Sequence, residues 1–319
     1  MTRYRPEDYL YVSARVRALE NGLFGADQIR QLAEAKSEEE LRAAIGCAEL
    51  GADAVEEKLD ELLREGFDTV RESLPDPTVI AFLQYPYDCH NLKVLLKCEL
   101  RGADSTALLV PLGTLSKEEL ECGLDVCGER IPTHMRAAID TARTTYAKNG
   151  DVQEVDLLLD RACFADMAES AAAVPFAARL VQMRADLTNL QMLLRVLRAD
   201  MGETGRALLA RAWVSGGSLE QSAFVELDDE DALCAALTNT PYADWAASTS
   251  TLSQAERRAD DLLMREVRRA KYVPFGAEVP IAYLWGLETS VRNLRILQTG
   301  RAAGADRESI MERVRESYV

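Results

Sequence analysis

The stretch YPYDCHNLKVLLKCELRG, Tyr85 to Gly102, places His90 beside Cys89 and follows them with Cys98. Imidazole and thiolate are the side chains that bind zinc or carry thiol redox chemistry. A structural zinc site needs four ligands in closely spaced pairs, and Cys89 with Cys98 supplies two thiols spread along one predicted helix. Cys122 and Cys127, followed by His134, lack a second ligand pair in the same way. No G-x-x-x-x-G-K-[ST] loop, G-x-S-x-G elbow or H-E-x-x-H helix occurs, so nucleotide hydrolysis, acyl transfer and metalloprotease chemistry lack their usual parts. The acidic runs Glu38–Glu40 and Asp228–Asp231 stand where helix N-termini favour negative charge. The expectation is no catalytic residue, no cofactor and no metal.

The elements that carry these residues read as helices. Ser116 with Glu119 and Ser218 with Gln221 have capping-box spacing, as does Ser37 with Glu40; Asp27 and Asp306 read as further helix starts. Few stretches alternate with period two, and prolines and the SGGS turn at 215–218 punctuate helical patterns. The fold class is all-α.

Composition excludes several partners. The chain has 319 residues, with 37 Lys+Arg against 53 Asp+Glu, a formal charge of −16 that repels phosphate backbones, so no nucleic acid is expected. No apolar run reaches the ~20 residues a membrane span needs, which predicts no direct transmembrane segment. Seven irregularly spaced cysteines without a signal peptide predict reduced thiols and a cytosolic setting. The arginines of ERRADDLLMREVRRAKY, residues 256–272, interleave with carboxylates at helical spacing and read as a self-paired, solvated face.

One pattern recurs three times. YDCHNLKVLLKCELRG, MRADLTNLQMLLRVLRADMG and GLETSVRNLRILQTGRAAG share Asn-Leu, at Asn91–Leu92, Asn189–Leu190 and Asn293–Leu294. Aligned on those leucines, an apolar stripe repeats as Phe82, Tyr85, Cys89, Leu92; Leu180, Met183, Leu187, Leu190; and Leu284, Leu287, Val291, Leu294, the buried face of a helix. Cys89 thus takes a core position held elsewhere by Leu187 and Val291. Asp88, Asp186 and Ser290 stand three residues before each asparagine, adjacent on the helix surface. LVPLGTLSKEE and AWVSGGSLEQ sit at matching places between repeats. Asparagine is a mediocre mid-helix residue, so its recurrence predicts that it satisfies a polar group at a packed junction. The repeat divides the chain into helical domains 1–105, 106–205 and 206–319.

Three segments carry a family resemblance: DYLYVSARVRALENGL, YDCHNLKVLLKCELRG and YLWGLETSVRNLRILQTGRAAGADRESIMERVRESYV. Together they resemble the C subunit of the V/A-type rotary ATPases, known as the d subunit in eukaryotic V-ATPases, over Asp8 to Val319. The resemblance implies three similar helical-bundle domains in a pseudo-threefold, funnel-like arrangement. It implies a non-catalytic rotor adapter, one copy per complex, peripheral on the cytoplasmic face of the membrane. Its partners would be the D and F subunits of the central shaft and the membrane rotor ring of proteolipid subunits. Tyr4, Tyr9, Tyr11, Phe24, Tyr283 and Trp285 are either core or the lining of a socket. Cys89 and Cys98 depart from the pattern and leave a thiol sensitivity open. A short-period helical scaffold fails on the repeat length, near 100 residues where such scaffolds repeat at roughly 34–47.

Overall fold

The computed structural model describes residues 5–35, 38–46, 53–247 and 249–319. Among these residues every regular element is helical. In chain order they are α1 (Leu10–Leu19), α2 (Ala26–Glu34), α3 (Glu38–Ile45), α4 (Asp53–Arg71), α5 (Ala81–Arg101), α6 (Lys117–Cys122), α7 (Leu124–Cys127), α8 (Thr133–Asn149) and α9 (Val152–Ala171). There follow α10 (Pro175–Arg198), α11 (Gly202–Ala212), α12 (Gln221–Phe224), α13 (Glu230–Leu237), α14 (Ala243–Ala247), α15 (Leu252–Val267), α16 (Glu278–Ala302) and α17 (Arg307–Met311). Short 3-10 turns link several of them. The chain forms two compact units, one from Thr78–Asn239 and the other from Met1–Pro77 together with Thr240–Val319.

Helix starts follow local chemistry. Ser116 Oγ accepts the Glu119 N–H while the Glu119 carboxylate accepts the Ser116 N–H at 3.0 Å, closing the expected capping box on α6. Asp306 caps α17 through the Ser309 N–H at 2.9 Å, and Asp229 caps α13 through Ala232 N–H at 2.7 Å. Pro175 opens α10, where a missing N–H costs nothing. Asp27 stands in the first turn of α2, as expected of a helix start, with Gly25 as the N-cap and Gln28 accepting the Gly25 N–H. One expected start is corrected. Ser218 does not cap α12, because its hydroxyl is taken by the buried carboxylate of Asp186; Glu220 is the N-cap. The expected start at Ser37 lies outside the described residues.

Each unit is organised around one helix buried on several sides. In the 78–239 unit α9 packs against α5, α8, α10 and α11, and it buries Val155, Leu157, Leu159, Ala162 and Met167. Residues two apart, such as Leu157 and Leu159, lie on well-separated faces of a helix, so α9 is buried on more than one side while Gln153, Arg161 and Glu169 stay exposed. In the other unit α16 contacts α1, α2, α4, α15 and α17, and buries the consecutive run Ile281, Ala282, Tyr283 and Leu284. A fully buried leucine contributes about 1.5–3 kcal/mol. Leu287, the stripe residue at the α4 contact, lies where any side chain on Gly66 would have to go.

Arginines tie the two ends of the chain into that second unit. Arg17 of α1 donates to the Ala270 and Val273 carbonyls at 2.7 and 2.8 Å. Arg295 of α16 pairs with Glu56 at 2.9 Å and with Asp60 of α4. Arg301 donates to the Leu32 and Ala35 carbonyls, and Arg307 pairs with Glu34 at 2.7 Å. Guanidinium forks suit this work because one group reaches two acceptors.

Two buried phenols give the unit an alkaline limit. Burial, with nearby carboxylates, pushes Tyr9 and Tyr318 up to about 12 from an ordinary 10.0. Between those values the unfolded chain sheds these protons while the folded chain keeps them, so stability is intact below pH 10 and is lost as pH rises toward 12. A phenolate absorbance titration is expected to leave both tyrosines silent until the helical circular dichroism collapses. Full titration of all tyrosines in still-folded protein would contradict this.

Candidate functional site

The three repeat helices are α5, α10 and α16, and each is clamped to an irregular strap downstream of it. Asn91 Nδ2 donates to the Val110 carbonyl at 2.8 Å, and its Oδ1 accepts the Val110 N–H at 2.8 Å. Asn189 makes the same pair with Val214, both bonds at 2.9 Å. Asn293 makes it with Arg315, at 3.0 and 2.9 Å. The asparagines are at most 2 % exposed, and Leu92, Leu190 and Leu294 beside them are fully buried. The carboxamide acts as a strand partner for one residue of strap, satisfying both of its backbone groups.

A second polar contact follows on the same helix face. Asp88 accepts the Thr114 N–H at 2.9 Å, the Thr114 hydroxyl at 2.6 Å and the Leu115 N–H at 3.2 Å. Asp186 accepts the Ser218 hydroxyl at 2.7 Å and the Leu219 N–H at 3.0 Å. Burial pushes the Asp88 carboxyl up, and the Thr114 and Leu115 donors hold part of that rise back. Both carboxylates press against a strap glycine: a Cβ on Gly113 would overlap Asp88, and one on Gly217 would overlap Asp186. One turn earlier on α5, Gln84 Nε2 donates to the Leu112 and Gly113 carbonyls at 2.9 and 3.0 Å.

The third junction solves the same packing problem with other residues. The strap position three after the bridged residue is Gly113, then Gly217, then Tyr318. The helix position seven before the asparagine is Gln84, then Gln182, then Gly286, and the carboxylate position is Asp88, Asp186, then Ser290. A Cβ on Gly286 would stand 2.7 Å from Tyr318 Cβ and 2.9 Å from its Cγ. The bulk therefore moves from helix to strap: Gly286 and the small Ser290 make room for a buried Tyr318. Tyr318 donates its hydroxyl proton to Glu20 at 3.1 Å, and the Lys271 ammonium lies 5.0 Å from its ring centroid.

A carboxylate from a neighbouring helix holds a different strap amide, since Asp261 of α15 accepts the N–H of Glu316, the residue just after the bridged Arg315, at 2.7 Å. The expected self-pairing of the α15 arginines needs correction for the same reason. Arg257 donates to the Glu312 carbonyl, Arg268 to the Ser317 carbonyl, and Arg265 and Arg268 both pair with Glu316, so this basic face grips the C-terminal strap. The expected self-pairing holds in part, between Arg257 and Asp261 at 3.5 Å within α15 and between Arg269 and Glu266 at 3.1 Å.

The histidines and the cysteines near them in sequence serve the same scaffold. His90 Nε2 lies 3.2 Å from the Leu108 carbonyl at the strap entrance, and Cys98 Sγ contacts the Asp104 carbonyl at 3.6 Å. The donor atoms of His134, Asp166 and Glu169 lie within 4.8 Å of one another, a grouping that spacing in the sequence does not announce. Both Asp166 oxygens accept backbone N–H groups, of His134 and Met135 at 2.9 Å, at the positive end of α8; the group reads as a helix cap. Tyr9 and Tyr283 are buried, whereas Tyr11 is 68 % exposed; Tyr4 lies outside the described residues. Sequence reasoning missed the straps as partners, although the glycine and hydroxyl pair Gly113–Thr114 and Gly217–Ser218 was visible as a local likeness.

The architecture is thus that of a helical, cross-tied body, and its sequence matches a known family. Residues 12–313 match the family model described as ATP synthase (C/AC39) subunit. The chain is 23% identical over 262 residues to the C subunit of the V-type sodium ATPase of Enterococcus hirae, covering 79% of each protein. It is 22% identical over 339 residues to the C subunit of the A-type ATP synthase of Thermococcus kodakarensis, covering 98% of this chain and 92% of the relative. With the corresponding A-type ATP synthase protein of Haloquadratum walsbyi the identity is 24% over 345 residues, covering 95% and 96%. The chain belongs to the ATP synthase (C/AC39) subunit family and is a component of a V/A-type ATPase complex. Among the described residues no helix is long and apolar enough to cross a membrane.

Removing an asparagine strands two buried strap groups at about 1–3 kcal/mol each. Asn189→Ala is expected to lower unfolding free energy in urea by about 2–6 kcal/mol; a loss below about 0.5 kcal/mol, the level of a neutral surface change, would refute the bridge. Gly217→Ala should also destabilise, and by at least about 1 kcal/mol less in an Asp186→Ser background, because the two sites share one contact. Strict additivity would show that they do not.

Proposed function

We propose that this chain is the non-catalytic rotor adapter of its complex, joining the central shaft to the membrane rotor ring so that ATP turnover and ion transport are linked by rotation. The observation that carries this reading is the family match over residues 12–313. The geometry supports it in a specific way: the buried asparagines of the three repeat helices are spent on holding the straps, through the backbone groups of Val110, Val214 and Arg315. A part that passes torque needs resistance to shear, which buried two-bond bridges and close packing provide.

On this reading the partners are the D and F subunits of the central shaft and the proteolipid ring, with one copy of the chain per complex at the cytoplasmic face. The threefold sector plan, 1–105, 106–205 and 206–319, belongs to the same proposal and rests on the three helix–strap junctions. One adapter facing a ring of identical subunits cannot use a single repeated lock, so its contact must be broad and electrostatically tuned. A net charge of −16 suits basic loops on the ring or a basic shaft foot.

The test is affinity purification of the tagged chain from gently solubilised membranes of its own source, with mass spectrometry of the co-purifying proteins. Shaft and ring proteins are expected together at one adapter per complex. Recovery with the catalytic head alone, after the shaft and ring have been washed away, would overturn the adapter role while leaving family membership intact.

A further inference from the structure

The carboxylate of Asp166 is not used up by the helix cap it makes on α8. Each oxygen accepts one backbone N–H, of His134 and of Met135, at 2.9 Å. An ionised carboxylate offers about four lone-pair sites, so one remains on each oxygen. The same contact fixes the backbone of His134 against α9, and Glu169, three residues after Asp166, is its neighbour on that helix. His134 Nε2 stands 3.4 Å from a Glu169 carboxylate oxygen, and one donor atom from each of the three residues lies within 4.8 Å of the other two. Charge is unbalanced here. Asp166 is 4 % exposed, and among the described residues neither it nor Glu169 pairs with a lysine or arginine. Burial pushes the Asp166 carboxyl up, the two N–H donors and His134 hold part of that rise back, and the Glu169 charge adds to it.

The geometry points to His134, Asp166 and Glu169 as a binding site for one divalent transition-metal ion of the zinc type, which joins the start of α8 to α9. One imidazole and two carboxylates suit such an ion, whereas magnesium and calcium take oxygen ligands throughout. Two ligand atoms at about 2.0–2.2 Å from a tetrahedral zinc stand roughly 3.3–3.6 Å apart, which matches the 3.4 Å between His134 and Glu169. The other separations close by rotation of the His134 and Glu169 side chains, which are 49 % and 72 % exposed, while Asp166 stays in place. Water fills the remaining position, as at zinc sites with three protein ligands. The α8 dipole opposes a cation with about half a charge, and two full carboxylate charges outweigh it. Both helices belong to the 78–239 unit, so the site is complete within one compact body.

The untagged full-length chain, reduced and freed of chelator, is titrated with cobalt(II) followed by absorption and with zinc followed by calorimetry. Cobalt is expected to bind with the weak ligand-field bands of nitrogen and oxygen ligands and without a thiolate charge-transfer band. His134→Ala and Glu169→Gln should each weaken zinc binding by at least about tenfold, since even outer-shell changes at metal sites cost about 10–100-fold. His90→Ala and Cys122→Ser should leave it unchanged. His134→Ala keeps the backbone N–H that Asp166 accepts, so the helix cap survives in that variant. Zinc should raise the melting temperature of the wild-type chain and not that of His134→Ala. No saturable binding at millimolar metal, an affinity unchanged by His134→Ala, or a cobalt spectrum dominated by thiolate bands would overturn the site.

Discussion

An asparagine side chain carries the same donor and acceptor as a peptide group, and this equivalence underlies the whole structure. A helix has no backbone groups left to offer a neighbouring segment, because its N–H and C=O groups are already paired along its own axis. An irregular strap laid across it would bury a row of unsatisfied groups. Asn91, Asn189 and Asn293 supply the missing partner, each facing one strap residue with both hydrogen bonds. Aspartate could accept but not donate, and alanine could do neither.

The remaining features are adjustments around that bridge. Asp88 and Asp186 hold the next amides of the strap, and glycine at 113 and 217 lets the carboxylates approach the backbone. At the third junction a tyrosine replaces the glycine, a glycine replaces the helical glutamine and a serine replaces the carboxylate, while Asp261 of α15 holds the amide just after the bridge. Three positions change in concert because they share one volume. The asparagine does not change, since the one other carboxamide side chain, glutamine, carries the same donor and acceptor a methylene further from the helix.

This logic explains which parts of the structure were legible in sequence. Helix class and the buried stripe follow from periodicity, and Leu92, Leu190 and Leu294 occupy the core as any 3.6-residue pattern would place them. The polar role of the asparagines was inferable because a poor mid-helix residue recurred. Their partners were not, since Val110, Val214 and Arg315 share no side-chain chemistry; only their backbone is used. Ser218 misled for a related reason, because its hydroxyl fits a capping box as well as it fits Asp186, and local spacing cannot decide between them. The neighbours of Cys89 were hidden too, since helix packing across 70 positions brings the Leu159 carbonyl of α9 to it.

The unit built from Met1–Pro77 and Thr240–Val319 imposes an order on biogenesis. As the chain leaves the ribosome, α1 and α4 emerge long before α16, the helix against which both pack. The 78–239 unit has all of its segments in one stretch and can fold while the rest is still being made. Until α16 and the strap beyond it arrive, Val12, Val16, Leu59 and Leu63 must wait with their apolar faces uncovered. The first helices synthesised are therefore among the last to gain their full packing.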